Sequence, residues 1–159
     1  MFCISVGVPI GEPSMIQELG KLIYTVEYNG CVFELPEVIF LFWEQFLEGE
    51  HYEVAKKSFL QQTGFSSDFF DLGFNFLTEN NLIIQTKQPL RDFTFFVPIM
   101  SKQADATLNE DERKILLLFN GSRCLDEIRC TLEIDNEDTF YSMVLILAKK
   151  KTFFFVKGK

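Results

Sequence analysis

Residues 65–84, FSSDFFDLGFNFLTENNLII, are the stretch that decides the fold predicted from this sequence. The two serines suit the start of a helix, because a serine hydroxyl accepts a hydrogen bond from a backbone N–H of the first turn. Phe70, Phe74 and Leu77 then recur at helical spacing, which predicts one buried face. The two asparagines close the helix, and the apolar residues after them are typical of a β-strand. The stretch therefore predicts a helix that packs in a core and leads into a sheet.

A hairpin and two helices are predicted on the N-terminal side of this stretch. Residues 23–35, IYTVEYNGCVFEL, carry β-forming residues on both sides of Asn29-Gly30. Asn-Gly favours a two-residue type I′ turn, in which both central residues take a positive φ. Residues 36–48 and 51–61 carry apolar side chains at spacings of three and four, which predicts two amphipathic helices. Three helices are therefore expected to follow an N-terminal hairpin.

A second hairpin is predicted to close this part of the chain. Residues 82–86 form one strand, a polar turn follows, and residues 93–99 form the return strand. Three helices followed by a hairpin is the winged-helix arrangement, and the polar segment SKQADAT after it is the best candidate for a linker. We therefore predict an α+β protein with two tandem winged-helix-like units. Residues 1–100 hold the N-terminal β-hairpin and the first unit, and residues 101–159 hold a second, shorter unit.

The second unit is predicted because the stretch recurs near the end of the chain. Residues 138–154, DTFYSMVLILAKKKTFF, match residues 68–84 at an offset of 70, with Phe140 in place of Phe70. The shared order of helix, glycine, helix, helix and strand indicates an internal duplication. The final strand, residues 152–156, has no predicted partner in its own half, so its apolar edge needs a cover. The N-terminal strand, the other half, a second subunit and a partner peptide are all candidates for that cover.

The charge of the chain is uneven. Residues 1–107 hold 14 Asp and Glu against 6 Lys and Arg, whereas residues 108–159 hold 9 of each, so the net charge of −8 lies in the first part. An acidic chain repels a phosphate backbone unless its basic residues are gathered into one patch. The predicted third helices begin with acidic residues, which disfavours direct DNA binding. The basic residues that could contact phosphate are Lys149, Lys150, Lys151 and Lys157.

The residue types give little support to catalysis, metal binding or membrane insertion. His51 is the only histidine, and no catalytic pair or triad can be assembled without it. The sequence has no phosphate-binding glycine motif. Its four cysteines are scattered without a C-x-x-C pair, which is typical of a reduced, cytoplasmic protein, and no apolar run is long enough for a membrane span. We therefore predict a cytoplasmic protein that is not an enzyme and binds no metal or cofactor.

Residues 24–86 resemble a small winged-helix family. The features that match are the hairpin YTVEYNGCVFEL, the helix end with Trp43 and Leu47-x-Gly49, and the closing FLTENNLII. They are similar to the PqqD-like modules, which hold leader peptides for peptide-modifying enzymes. The segment ILLLFNGSRCLDEIRCTL in the second half resembles the first two helices of the same module. The tandem arrangement, the extra N-terminal segment and the missing hairpin of the second half depart from that family.

The resemblance also implies a binding site. In that family the peptide adds as a strand to the edge of the hairpin, beside the third helix. Carried over to this sequence, the peptide would contact Cys31, Val32 and Phe33, with Phe70 and Phe74 nearby.

Three functions follow from these observations. The first is a protein- or peptide-binding module that acts through a strand edge and a hydrophobic groove. The alternative is a winged-helix transcriptional regulator, in which a homodimer gathers the C-terminal lysines into one basic patch. The third is an inhibitor whose acidic surface mimics nucleic acid. An open hydrophobic groove beside the hairpin would favour the first of these functions, and a basic patch on a dimer would favour the second.

Overall fold

The computed structural model describes residues 1–16, 20–87, 96–101 and 107–157. These residues form helices and antiparallel sheets, so the predicted α+β class is confirmed. The chain divides into two compact units, Met1–Lys87 and Gln88–Lys159. The second unit therefore begins before the predicted boundary at residue 100.

The first unit contains two antiparallel sheets and three helices among its described residues. In chain order its elements are β1 (Phe2–Ser5), β2 (Val8–Pro9), β3 (Ser14–Ile16), β4 (Lys21–Tyr28), β5 (Cys31–Pro36), α1 (Glu37–Gln45), β6 (Glu50–His51), α2 (Tyr52–Thr63), α3 (Ser67–Glu79) and β7 (Ile83–Thr86). One sheet has the order β6–β1–β7. In the other sheet β5 pairs with one edge of β4, and β2 and β3 pair with its other edge.

The second unit also contains three helices, with two strands among its described residues. Its described elements are β8 (Phe96–Met100), α4 (Glu110–Leu117), α5 (Leu125–Thr131), α6 (Glu137–Lys149) and β9 (Phe153–Lys157). β9 pairs antiparallel with β8 over five residue pairs, from Phe96 opposite Lys157 to Met100 opposite Phe153. The last strand therefore finds its partner in residues 96–100, which the predicted boundary had assigned to the first half, so the other half of the predicted division supplies the cover.

The predicted N-terminal hairpin is formed by β4 and β5. Tyr28 pairs with Cys31 across the turn, and Asn29 and Gly30 have φ values of 53° and 76°. Both turn residues therefore take the positive φ that a type I′ turn requires. Asparagine and glycine adopt this conformation at a low cost, which explains why local sequence is enough to define the turn.

The phenylalanine-rich helix α3 lies at the centre of the first core. Its N-cap is Ser66, whose hydroxyl accepts a hydrogen bond from the backbone N–H of Phe69 at 3.2 Å. The residues predicted to form its buried face are all buried, namely Phe70, Phe74 and Leu77. The Phe70 ring lies 5.3 Å from the ring of Phe42 on α1 and 5.6 Å from the ring of Phe59 on α2. The three helices therefore meet in one aromatic cluster.

The strand after α3 does not form a wing. β7 pairs with β1, from Phe2 opposite Thr86 to Ser5 opposite Ile83. The return strand was predicted at residues 93–99. Residues 93–95 lie outside the described residues, and residues 96–99 belong to β8, which pairs with β9. The predicted pairing between these two strands is therefore wrong. The prediction failed because β7 and β9 each pair with a strand near the start of their own unit. The sequence next to a strand gives no sign of such a distant partner.

Several local features recur in the two units at the predicted offset of 70 residues. Ser66 and Asn136 are the N-caps of the third helices. After each helix comes a residue with positive φ, Asn81 in one unit and Lys151 in the other. The next residue, Leu82 or Thr152, donates a backbone hydrogen bond to the last turn of the helix. Each closing strand also pairs with the strand that opens its unit, β7 with β1 and β9 with β8. The sheet that contains β4 and β5 has no counterpart among the described residues of the second unit.

Replacing Gly73 with alanine should destabilise the first unit. A Cβ atom on Gly73 would lie 2.3 Å from two ring atoms of Phe42, and overpacking of a core costs about 1–3 kcal/mol of unfolding free energy. Trp43 is the only tryptophan and is buried in the first unit, so its fluorescence during urea denaturation reports the stability of this unit.

Two further variants serve as controls for this prediction. The double variant Gly73→Ala/Phe42→Leu should lose less stability than the two single variants together, because a smaller side chain makes room for the methyl group. Leu72→Ala, at an exposed position of the same helix, should change the unfolding free energy by less than about 0.5 kcal/mol. Alanine is favoured over glycine by about 1 kcal/mol inside a helix, so a Gly73→Ala variant more stable than wild type by this amount would show that the helices do not approach as closely as described.

Candidate functional site

The outer edge of β5 is the candidate functional site. β5 pairs with β4 along its whole length, and its other edge pairs with none of the described strands. In a hairpin with a two-residue turn, the residues next to the turn exchange both backbone hydrogen bonds, and every second pair does the same. Cys31, Phe33 and Leu35 therefore bond to β4, whereas the N–H and C=O groups of Val32 and Glu34 point away from it. Such an edge can accept an added strand.

The inner face of the hairpin is apolar and rests on α1. Residues that pair across two strands share a face, which places Leu35 with Tyr24 and Phe33 with Val26. Leu35 and Val26 are buried, whereas Phe33, at the edge, is half-buried. The Tyr24 ring stacks on that of Phe40, with centroids 4.1 Å apart and planes within 8°. The half-buried ring of Phe33 therefore offers apolar surface to a side chain of an added strand.

The outer face of the hairpin is more polar. It carries the cross-strand pairs Val32 with Glu27 and Glu34 with Thr25. Val32 is 61% exposed, and both glutamates are exposed. The edge of β5 therefore has an apolar side and an acidic side.

The structure brings together only part of the predicted peptide site. Cys31 and Val32 are exposed and Phe33 is half-buried, all on the same strand. Phe70 and Phe74 are buried in the helical core, with exposures of 0% and 5%. Rings from α1 and α2 pack against them, so they belong to the core and do not line an open groove. Of the residues carried over from the resemblance, the three on the strand are at least partly accessible and the two on the third helix are not.

An exposed apolar surface on α3 was not predicted as part of any site. Leu72 and Phe76 lie one helical turn apart and are 68% and 42% exposed. A sequence signal for it exists, because both residues fall off the buried line of the helix and are separated by four positions. Phe65, just before the helix, is also exposed.

A polar cluster joins α2 to α3. The Lys56 ammonium lies 2.5 Å from the Asp71 carboxylate, and the Tyr52 hydroxyl donates a hydrogen bond to the same carboxylate. The hydrogen bonds from Lys56 and Tyr52 lower the pKa of Asp71. The Lys56 ammonium also lies 5.5 Å from the centroid of the Tyr52 ring. The three side chains satisfy one another, which indicates a structural contact between the helices.

The lysines predicted as phosphate contacts have different surroundings. The Nζ atom of Lys150 lies 2.9 and 2.8 Å from the two carboxylate oxygens of Glu112. Glu112 is buried, and its carboxylate also accepts a hydrogen bond from the backbone N–H of Asn109 at 2.9 Å. Lys150 therefore joins the end of α6 to the start of α4, and a carboxylate engages its ammonium. All four lysines, Lys149, Lys150, Lys151 and Lys157, are exposed.

The remaining reactive side chains are dispersed. Within residues 1–16, 20–87, 96–101 and 107–157, no group of three or more His, Cys, Asp or Glu side chains is arranged to hold a metal ion. His51 packs edge-on against Phe2, with ring centroids 5.6 Å apart. All four cysteines are free thiols. None of the helices in the described part of the chain has the length and apolar character needed to cross a membrane.

The chain matches no protein-family model, no curated protein and no solved structure. The PqqD-like resemblance therefore rests on the sequence features given above. The candidate site rests on the exposed edge of β5 and the residues around it.

The ion pair between Glu112 and Lys150 should make the second unit sensitive to acid. The hydrogen bonds from Lys150 and from the Asn109 backbone lower the pKa of Glu112. A carboxylate whose pKa is lowered by folding stabilises the folded state above its unfolded-state pKa, and this contribution is lost as the pH falls through the folded-state pKa. Lys150→Gln should therefore lower the melting temperature at pH 7 and reduce the further loss of stability on acidification.

Thermal melts followed by circular dichroism between pH 7 and pH 3 measure this effect. Lys149→Gln removes the same charge from an exposed neighbour and should leave the melting curve unchanged. If Lys150→Gln melts at the same temperature as Lys149→Gln at pH 7, the ion pair has no structural role.

Proposed function

We propose that the protein is a non-enzymatic binding module that takes up an extended peptide segment as an added strand on β5. The observation that carries this proposal is the set of backbone groups of Val32 and Glu34, which face away from β4 on an accessible edge. An added strand can bond to the N–H and the C=O group of each of these residues. Each such bond contributes about 0.5–1.5 kcal/mol, so the backbone supplies affinity and the side chains supply specificity.

Ring stacking and hydrogen bonds support the strand edge from behind, which favours this function. α1 carries the hairpin through the stacked rings of Tyr24 and Phe40. α1 is itself tied to the chain near β1, because the indole N–H of Trp43 donates to the backbone oxygen of Val6 at 3.0 Å and the Ser5 hydroxyl donates to that of Trp43. A peptide that binds here meets a preformed strand and bears only its own ordering cost.

We further propose that the chain consists of two winged-helix-like units in tandem, of which the first is similar to PqqD-like modules. A hairpin followed by three helices supports this assignment in the first unit. The recurrence of local features at an offset of 70 residues supports the tandem arrangement. The first unit departs from a winged helix where β1 pairs with β7 in place of a wing.

The alternative function, DNA binding by a dimeric regulator, is weaker because of the contacts of Lys150. That side chain is bound to the buried Glu112, so fewer lysines are left for a phosphate backbone. Peptide binding at β5 requires none of these lysines.

The variant Val32→Pro tests the proposed function. Proline removes the outward N–H of residue 32 and leaves the bonds of Cys31 and Phe33 to β4, so an edge strand accommodates it. Peptides are first selected on the wild-type protein from a display library of random linear peptides. We expect Val32→Pro to fold and to bind the selected peptides about tenfold more weakly, because one backbone hydrogen bond is lost.

The matched control is Val32→Ala, which removes the side chain and keeps the N–H group. It should bind the selected peptides within about threefold of wild type, since main-chain bonds supply most of the affinity in strand addition. The fluorescence of the buried Trp43 verifies that each variant is folded. A library that yields no peptide, or peptides that bind Val32→Pro as tightly as wild type, would refute strand addition at this edge.

A further inference from the structure

In the segment that carries the candidate edge, every charged side chain is acidic. Between Lys21 and Lys56 the chain contains 7 Glu and no Lys or Arg. Glu27, Glu34 and Glu37 in this segment are exposed. The first unit as a whole holds 12 Asp and Glu against 4 Lys and Arg, whereas the second unit holds 11 of each. The whole net charge of the chain therefore lies in the unit that offers the strand edge.

One of these glutamates lies on the edge strand, and a second lies one strand further into the sheet. Glu34 is on β5 itself, and Glu27 lies opposite Val32 on β4, so the two carboxylates share the outer face of the hairpin as diagonal neighbours. Like charges on one face of a sheet destabilise it, whereas a cross-strand pair of opposite charges stabilises it. A lysine or arginine on an added strand would therefore stabilise the outer face by pairing with these carboxylates.

An added strand would present its side chains alternately to the two faces of the sheet. A residue opposite Glu34 lies on the outer face, where a lysine or arginine finds a carboxylate. Its neighbour along the strand lies on the inner face, where an apolar side chain finds the half-buried ring of Phe33. An added strand therefore fits the β5 edge best when basic residues on the outer face alternate with apolar residues on the inner face.

We infer that the occupant of the β5 edge is a basic extended segment in which Lys or Arg alternates with apolar residues. This inference rests on the proposed function and adds the chemistry of the partner. The long-range attraction between such a segment and a unit with a charge of −8 also speeds their association at low salt. A second copy of this chain is a poor occupant, because pairing the two β5 edges would bring two units of the same large negative charge together.

Three synthetic peptides of equal length test the inference on the full-length protein. One alternates lysine and valine, the second alternates glutamate and valine, and the third alternates lysine and serine. Fluorescence anisotropy measures their affinities. The lysine–valine peptide should bind at least about tenfold more tightly than either of the others, and more weakly as the salt concentration rises.

The variant Glu34→Lys tests whether the recognition is local. It should weaken binding of the lysine–valine peptide about three- to tenfold and strengthen binding of the glutamate–valine peptide, since the cross-strand charge pair is reversed. The matched control is Glu53→Lys, which makes the same charge change at an exposed position of α2. Equal effects of the two variants would overturn recognition by the edge in favour of a general attraction to the acidic unit.

Failure of the inference and failure of the proposed function are distinguishable. Equal binding of the lysine–valine and glutamate–valine peptides that is lost in Val32→Pro would overturn the basic partner and leave strand addition intact. Undiminished binding of the lysine–valine peptide to Val32→Pro would overturn strand addition itself. Amide hydrogen exchange gives the same distinction without a variant, because the lysine–valine peptide should slow exchange at Val32 and Glu34. Unchanged exchange at both amides would overturn strand addition.

Discussion

The close contact between Gly73 on α3 and the ring of Phe42 on α1 is the constraint on which the first unit depends. It sets how near the two helices approach, and it places the Phe42 ring within 4.4 Å of the Phe59 ring and 5.3 Å of the Phe70 ring. Burial of one phenylalanine contributes about 1.5–3 kcal/mol, so a few such rings match the net stability of a typical domain, about 5–15 kcal/mol. α1 also carries the hairpin through Phe40. The position of the candidate edge therefore follows from the packing of the helices behind it.

The two units stabilise the same order of elements by different means. The first unit relies on an aromatic cluster that spans its three helices. In the second unit the end of α6 is joined to the start of α4 by an ion pair between the partly exposed Lys150 and the buried Glu112. Each third helix has an exposed apolar residue one turn before its end, which is Phe76 on α3 and Ile146 on α6. What distinguishes the first unit is the sheet inserted between its opening strand and its first helix, and the candidate site lies on that sheet.

Local sequence predicted the features that local physics controls. The turn at Asn29 and Gly30, the cap at Ser66 and the buried face of α3 each depend on residues a few positions apart, and all three agree with the structure. The partner of β7 was predicted wrongly, because it lies at the opposite end of the unit and an alternating strand pattern does not identify its neighbour. The contact between Lys150 and Glu112 was not predicted for the same reason, since the two residues are 38 positions apart.

The candidate site shows a related limit of sequence interpretation. Phe70 and Phe74 were assigned both to the core and to a peptide site, and helical periodicity supports only the first assignment. The strand residues could be placed at an edge because the hairpin was predicted correctly. Only the family resemblance indicated the β5 edge, which no described strand covers. The residues themselves gave no sign of it, because β2 and β3 occupy the far side of β4 and their short, irregular sequences carry almost no strand signal.

The pairing of β1 with β7 has a consequence for how the protein folds as it is synthesised. The hairpin of β4 and β5 needs only neighbouring residues and can form as soon as it leaves the ribosome, whereas β1 must wait for the last strand of its unit. Until Thr86 has emerged, the strand that becomes the middle of the β6–β1–β7 sheet has only the two-residue β6 beside it. The second unit follows the same rule, since β8 waits for β9. Each half of the chain therefore completes its fold in one late step, when its final strand arrives.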